Sequence, residues 1–177
     1  FDRSNNKKCI VTSKSDTKGY IEMPSINWRR DFSVTANSVF IVDVPDQSET
    51  LGSENITNNA VHVVTEQLSS VYIHQYYQFR ADAALVLPVS SLGSNYFVMT
   101  YHGYDNNSVH YPSEFCVVGV EDNTLVRIKY SAETLNGKKK GTIDTIQLNK
   151  GQAYQVKARR ITEDLTGTEI QSDKYVA

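Results

Sequence analysis

Apolar and polar positions alternate with a period of two along most of the chain, and no stretch repeats with the helical period. Residues 9–12, 19–23, 31–35 and 39–44 each read as a short strand. Ala36-Asn37 supplies the tight turn between the last two, because asparagine accepts the left-handed backbone of a hairpin. A polar loop over 46–59 follows, then strands at 60–65 and 70–77. After a second polar loop at 102–112 the alternation resumes at 114–120, 124–130, 142–148, 152–158 and 168–172. Asn149-Lys150-Gly151 is the clearest hairpin signal. About a dozen short strands at this spacing predict an all-β fold of antiparallel sandwich units, with a propeller of short sheets as the alternative. Helix is limited to one turn near 89–92.

The longest apolar-rich stretch, 85–101, lies between two similar strand patterns. At an offset of 107 positions Cys9-Ile10-Val11 meets Cys116-Val117-Val118, Thr17 meets Thr124 and Ile21 meets Ile128. At an offset of 114, Phe32 meets Ile146, Asn37 meets Gly151, Phe40 meets Tyr154 and Val42 meets Val156. Asparagine and glycine are the residues that tolerate φ > 0, so their pairing has a physical basis. The pattern predicts two related tandem copies, 1–84 and 85–177, packed as a fragment of a longer protein, the second truncated where the first runs on into Val71-Tyr72-Ile73. The central stretch then becomes the junction, with Gly93 expected at φ > 0.

A formal charge of −2 leaves no basic stripe to neutralise phosphates, which argues against nucleic acid as a partner. The runs Lys138-Lys139-Lys140 and Arg159-Arg160 read as solvated loops. No run of 18 apolar residues is present, so no membrane insertion is expected of this fragment. The opening Phe1 and the strand-like ending suggest a piece of a larger chain.

Catalytic motifs are missing: there is no HExxH, GxSxG, P-loop or GxGxxG. His62, His74, His102 and His110 lack metal-ligand spacing. The sequence therefore predicts no enzyme, no metal and no cofactor. Cys9 and Cys116 read as separate thiols or as one long-range disulfide. Asn55 and Asn106 head N-glycosylation sequons in the two long loops. Two aromatic clusters are candidate contact residues for a protein or sugar: Tyr76, Tyr77, Phe79 and Arg80 at one strand end, and Tyr101 and Tyr104 at the second loop. Trp28 joins Tyr76, Tyr77 and Tyr104 as a candidate for stacking on sugar rings.

Ser70-Val71-Tyr72, Leu85-Val86-Leu87-Pro88-Val89, Leu92-Gly93 and Asn95-Tyr96-Phe97-Val98 follow one another in an order that resembles the N-terminal domain of IgG Fc-binding proteins. Phe115-Cys116-Val117-Val118 with Asn123-Thr124-Leu125-Val126, and Leu165-Thr166-Gly167-Thr168-Glu169-Ile170 with Ser172-Asp173-Lys174, extend the resemblance. Tyr175 stands where that family often has proline. The resemblance implies an extracellular, repeat-built, non-enzymatic protein, secreted or at a cell surface. The expected role is adhesion or recognition of a protein or glycan ligand at a cell surface or in mucus, with a carbohydrate-binding module or a structural spacer as alternatives.

Overall fold

A computed structural model describes residues 6–77, 80–105 and 110–177. Every element longer than one turn is a β-strand, and the strands form several antiparallel sheets, none closed into a barrel. The chain divides into two compact units, one running to Glu49 and resuming over Asn59–Pro88, the other made of Thr50–Asn58 and Val89–Ala177.

The first unit holds β1 (Asn6–Ser13), β2 (Thr17–Met23), β3 (Trp28–Val34) and β4 (Val39–Asp43). After β5 (Ile56–Thr57), which belongs to the second unit, it resumes with β6 (His62–Thr65), β7 (Ser69–Tyr77) and β8 (Arg80–Val86). Its sheets run β4-β1-β7-β8 and β3-β2-β6. The period-two alternation sends Cys9 and Val11 of β1, Ile21 and Met23 of β2, and Phe32 and Val34 of β3 into one core, which Val71 and Ile73 of β7 help to cover. The inward position of Lys7 is an exception. Its ammonium lies 3.3 Å from the Glu49 carboxylate, so the buried charge is paired.

The second unit holds β9 (Gly93–Phe97), β10 (Tyr104–Asp105), β11 (His110–Tyr111), β12 (Glu114–Val118), β13 (Thr124–Lys129), β14 (Ile143–Leu148), β15 (Ala153–Lys157) and β16 (Glu169–Val176). Its larger sheets run β14-β13-β16-β9 and β12-β15-β5, with β10 and β11 paired as a separate hairpin. Val126, Ile128, Leu148 and Ile170 from the first meet Val117, Tyr154 and Val156 from the second in a single core.

The arrangement β3-β2-β6 recurs as β14-β13-β16, and β4-β1 recurs as β15-β12. Ile21 pairs with Val63 as Ile128 pairs with Ile170, and both isoleucines are fully buried. The cysteine alignment is corrected by one residue. Phe40 lies opposite Val11, and its counterpart Tyr154 lies opposite Val117. Cys9 therefore corresponds to Phe115, and Cys116 to Ile10. The two cysteines are free thiols in different units, Cys9 buried and Cys116 exposed. Burial pushes the Cys9 thiol up to about 11.

The junction differs from expectation at one residue. The helical turn over Val89–Ser91 is present, but it is one of three among the described residues, Pro24–Ile26 and Asp46–Ser48 forming two that were not expected. Gly93, however, is the first residue of β9 and is absent from the residues with positive φ. Its N–H donates to the Tyr96 hydroxyl at 2.6 Å, and that hydroxyl donates to the Val176 carbonyl at 2.9 Å. A side chain at Gly93 would meet only ordinary contact distances to the Tyr96 ring.

Candidate interaction surface

β9 is an edge strand with its alternation set by the core. Tyr96 lies opposite Ile170, and Val98 is buried. Phe97, Met99 and Tyr101 are thereby turned outward, 78%, 90% and 84% exposed. Thr100 fixes this orientation: its hydroxyl meets Ser113 Oγ at 2.8 Å and donates to Asp164 Oδ1 at 2.8 Å. Hydrogen bonds from Thr166 and Thr100 hold the Asp164 carboxyl below the usual range. Phe97 ends β9, and Met99 and Tyr101 follow it in the segment just beyond; these three outward apolar side chains are an exposure that core packing does not explain.

The hairpin of β10 and β11 adds aromatic surface. Tyr104 lies opposite Tyr111 with the rings stacked at 6.4 Å, and Asp105 meets His110 at 2.9 Å. Between the β9 edge and β12 runs a groove lined by Tyr96–Thr100 and Glu114–Val117, with Ile170 and Val176 at its base.

Of the predicted contact residues, Tyr76 and Tyr77 close β7 in the first unit, partly buried. Tyr76 stacks on His74 at 5.2 Å, and Tyr77 lies opposite Arg80, the first residue of β8. Phe79 lies outside the described residues. Tyr101 and Tyr104 belong to the second unit and are strongly exposed. Trp28 packs against the first core with the Arg30 guanidinium 5.6 Å from its ring, so its face is already used. Asn55 is exposed just before β5, whereas Asn106 lies outside the described residues. Sequence reasoning missed Phe97 and Met99. Their signal was present, since they alternate with Tyr96 and Val98, but which half faced the core depends on β16.

The second unit also contains a polar network. Glu54, at φ 59° and with its side chain only 2% exposed, accepts from Thr134 Oγ1 and from the Asn136 N–H, each at 3.0 Å. Lys138 lies 3.5 Å from Glu54 and pairs with Asp144. Tyr130 also donates to Asp144, at 3.2 Å. Burial alone would raise the Asp144 pKa, but the Lys138 ammonium outweighs it and the net shift is downward. On Lys138 burial is likewise overcome, by Asp144 and Tyr154, and its pKa rises. Lys138 is thus a structural ion-pair partner and not part of a solvated basic run. The network ties the 134–138 turn to β14 and to the segment before β5. Among the described residues no group of three or more His, Cys, Asp or Glu side chains could hold a metal ion. No helix among them is long and apolar enough to cross a membrane.

Comparison with known proteins places these features in context. The family described as IgGFc binding protein matches residues 82–177, more than half of the chain. A human protein named IgGFc-binding protein is 25% identical over 173 residues, covering 96% of this chain and 3% of its own length. The chain thus spans a small fraction of that relative. No solved structure matches.

Proposed function

The chain belongs to the IgGFc binding protein family, and from that premise we propose that it is a non-catalytic recognition module of a larger secreted or cell-surface protein, acting outside the cell by binding a protein ligand. The observation that carries the reading is the outward set Phe97, Met99 and Tyr101, at the end of β9 and just beyond it. Phe97 and Tyr101 are rigid rings that lose little entropy when covered, and Met99 is a flexible, polarisable side chain that can mould to a partner; these residue types are enriched in protein contacts. The stacked Tyr104 and Tyr111 extend the surface with hydroxyls that suit a polar rim. The name of the human relative makes the immunoglobulin Fc fragment the first ligand to test. Adhesion in mucus or at a cell surface is the setting proposed for such a module. Asn55 is its proposed glycosylation site, exposed beside β5.

The test is surface plasmon resonance of the chain over immobilised human Fc fragment, with a glycan array in parallel. The expected result is saturable binding to Fc, weakened at least tenfold in a Phe97→Ser/Met99→Ser/Tyr101→Ser variant that keeps its β circular dichroism. Binding unchanged in that variant would overturn the assignment of the surface. Capture by a glycan with none by Fc would move the role to a carbohydrate-binding module.

A further inference from the structure

In the first unit β1 is paired on both sides, with β4 on one edge and β7 on the other. In the second unit its counterpart β12 ends its sheet and, among the described residues, has β15 as its one partner strand. The other edge of β12 is occupied at one end only. Gly119 bridges Val176, and Val118 and Ala177 exchange both backbone hydrogen bonds, at 2.7 and 3.1 Å. In an antiparallel ladder every second residue points its N–H and C=O to the same side. With Val118 bonded on that side, the backbone groups of Cys116 and Glu114 face it too.

The register is the one the first unit uses. There Ser13 pairs with Ser69, Thr12 with Ser70 and Val11 with Val71. Val11 corresponds to Val117, so Ser13 corresponds to Gly119 and Thr12 to Val118. Val176 and Ala177 therefore stand where β7 has Ser69 and Ser70. One more residue in this ladder would lie opposite Val117, and the third opposite Phe115. The matching residues of β7, Val71 and Ile73, pack against the first core. In the second unit the same inward positions open onto the groove, whose base is Val98, Val117, Ile170 and Val176, all core residues.

We propose that this groove is the seat of one further antiparallel strand, supplied by the polypeptide continuing from Ala177 in the register set at Val118, with β7-like alternation and apolar residues at its first and third positions. That strand completes the second unit as β7 completes the first. The occupant is selected by the ladder, since Val176 and Ala177 already run along β12 in the direction and phase required. An exposed strand edge of this kind is otherwise a template for unwanted pairing. The strand would lie along Phe97 and Met99, which line the same groove, so it shares that surface with the ligand proposed above, and its own test reads stability and exchange.

The experiment appends the six residues of Val71–Tyr76 (VYIHQY) after Ala177 and compares the product with the 177-residue chain by thermal unfolding and amide hydrogen exchange. The control appends DYDHQY, which keeps length but makes both inward positions acidic. Expected is a rise in Tm of roughly 5 °C for the first extension only, with exchange at Cys116 and Glu114 slowed at least tenfold. Fc binding is not part of the readout. Equal Tm and equally fast exchange in both extensions would overturn the proposal. So would an unextended chain that sediments as a dimer with Cys116 and Glu114 protected, because the edge would then belong to a second copy.

Discussion

Asn37 and Gly151 occupy the same hairpin turn in the two units, and both have a left-handed backbone, with φ of 62° and 80°. Each joins a core strand to the strand that pairs with β1 or β12: Val39–Asp43 in one unit, Ala153–Lys157 in the other. The turn recurs with the same conformation, while the residue that meets the requirement differs.

That equivalence predicts parallel responses to alanine at the two positions. A Cβ at Gly151 has no neighbour within 4 Å, so Gly151→Ala carries only the conformational penalty of φ > 0, about 1 kcal/mol. Asn37→Gly should leave stability within about 0.5 kcal/mol of the parent, and Asn37→Ala should lose about 1 kcal/mol. Urea unfolding with unchanged m values checks all three.

The turns and the core alternation were legible because they are local. Thr17 and Thr124, Ile21 and Ile128, and Asn37 and Gly151 carry their requirements in their own residue types. Four features were not legible, and the first three depend on partners distant in sequence. The one-residue shift of Cys116 relative to Cys9 is set by pairing with Tyr154 and Phe40. Lys138 looks solvated until Glu54 arrives from a segment more than 80 residues earlier in the sequence. Phe97 and Met99 become surface only because Val98 between them is held in the core with Ile170 and Val176. Strand β5, two residues inside a polar loop, had no alternation long enough to detect.

Tyr96 is expected to matter through its hydroxyl as well as its ring. Tyr96→Phe removes the acceptor for the Gly93 N–H and the donor to the Val176 carbonyl. Two neutral hydrogen bonds of this kind contribute about 1–3 kcal/mol together. Gly93→Ala, by contrast, should be tolerated, since its added methyl meets no contact shorter than 3.5 Å. Thermal unfolding of the pair separates the hydroxyl's contribution from a glycine requirement. A large loss for Gly93→Ala with none for Tyr96→Phe would contradict this account.

Acid and alkali should each weaken the second unit through one ion pair. The Asp144 pKa is lowered on folding from an ordinary 3.8, so the stability it contributes is complete above that value and is lost as pH falls below it. The Lys138 pKa is raised above 10.5, so its contribution is complete below that value and is lost as pH climbs past it. Asp144→Asn should lower stability at pH 7 and flatten the decline below pH 3.8. Urea midpoints measured across the pH range for parent and variant give the comparison, and parallel curves would rule out Asp144 as the titrating group.

The β9 row offers a separation of stability from recognition. Phe97 and Met99 leave most of their area in water in the folded chain, so replacing them removes little burial. Phe97→Ser/Met99→Ser should therefore shift the urea midpoint by no more than about 0.5 kcal/mol. Val98→Ser, between them in sequence but facing the core, should cost about 2 kcal/mol or more, because it places a hydroxyl among Val117, Ile170 and Val176. If the outward double variant loses ligand binding while keeping its stability, and the inward variant loses stability first, the two sides of the segment 97–99 have divided the work of contact and folding. If the outward variant unfolds as readily as the inward one, Phe97 and Met99 are covered in the native protein, and the row belongs to its core and not to its binding surface.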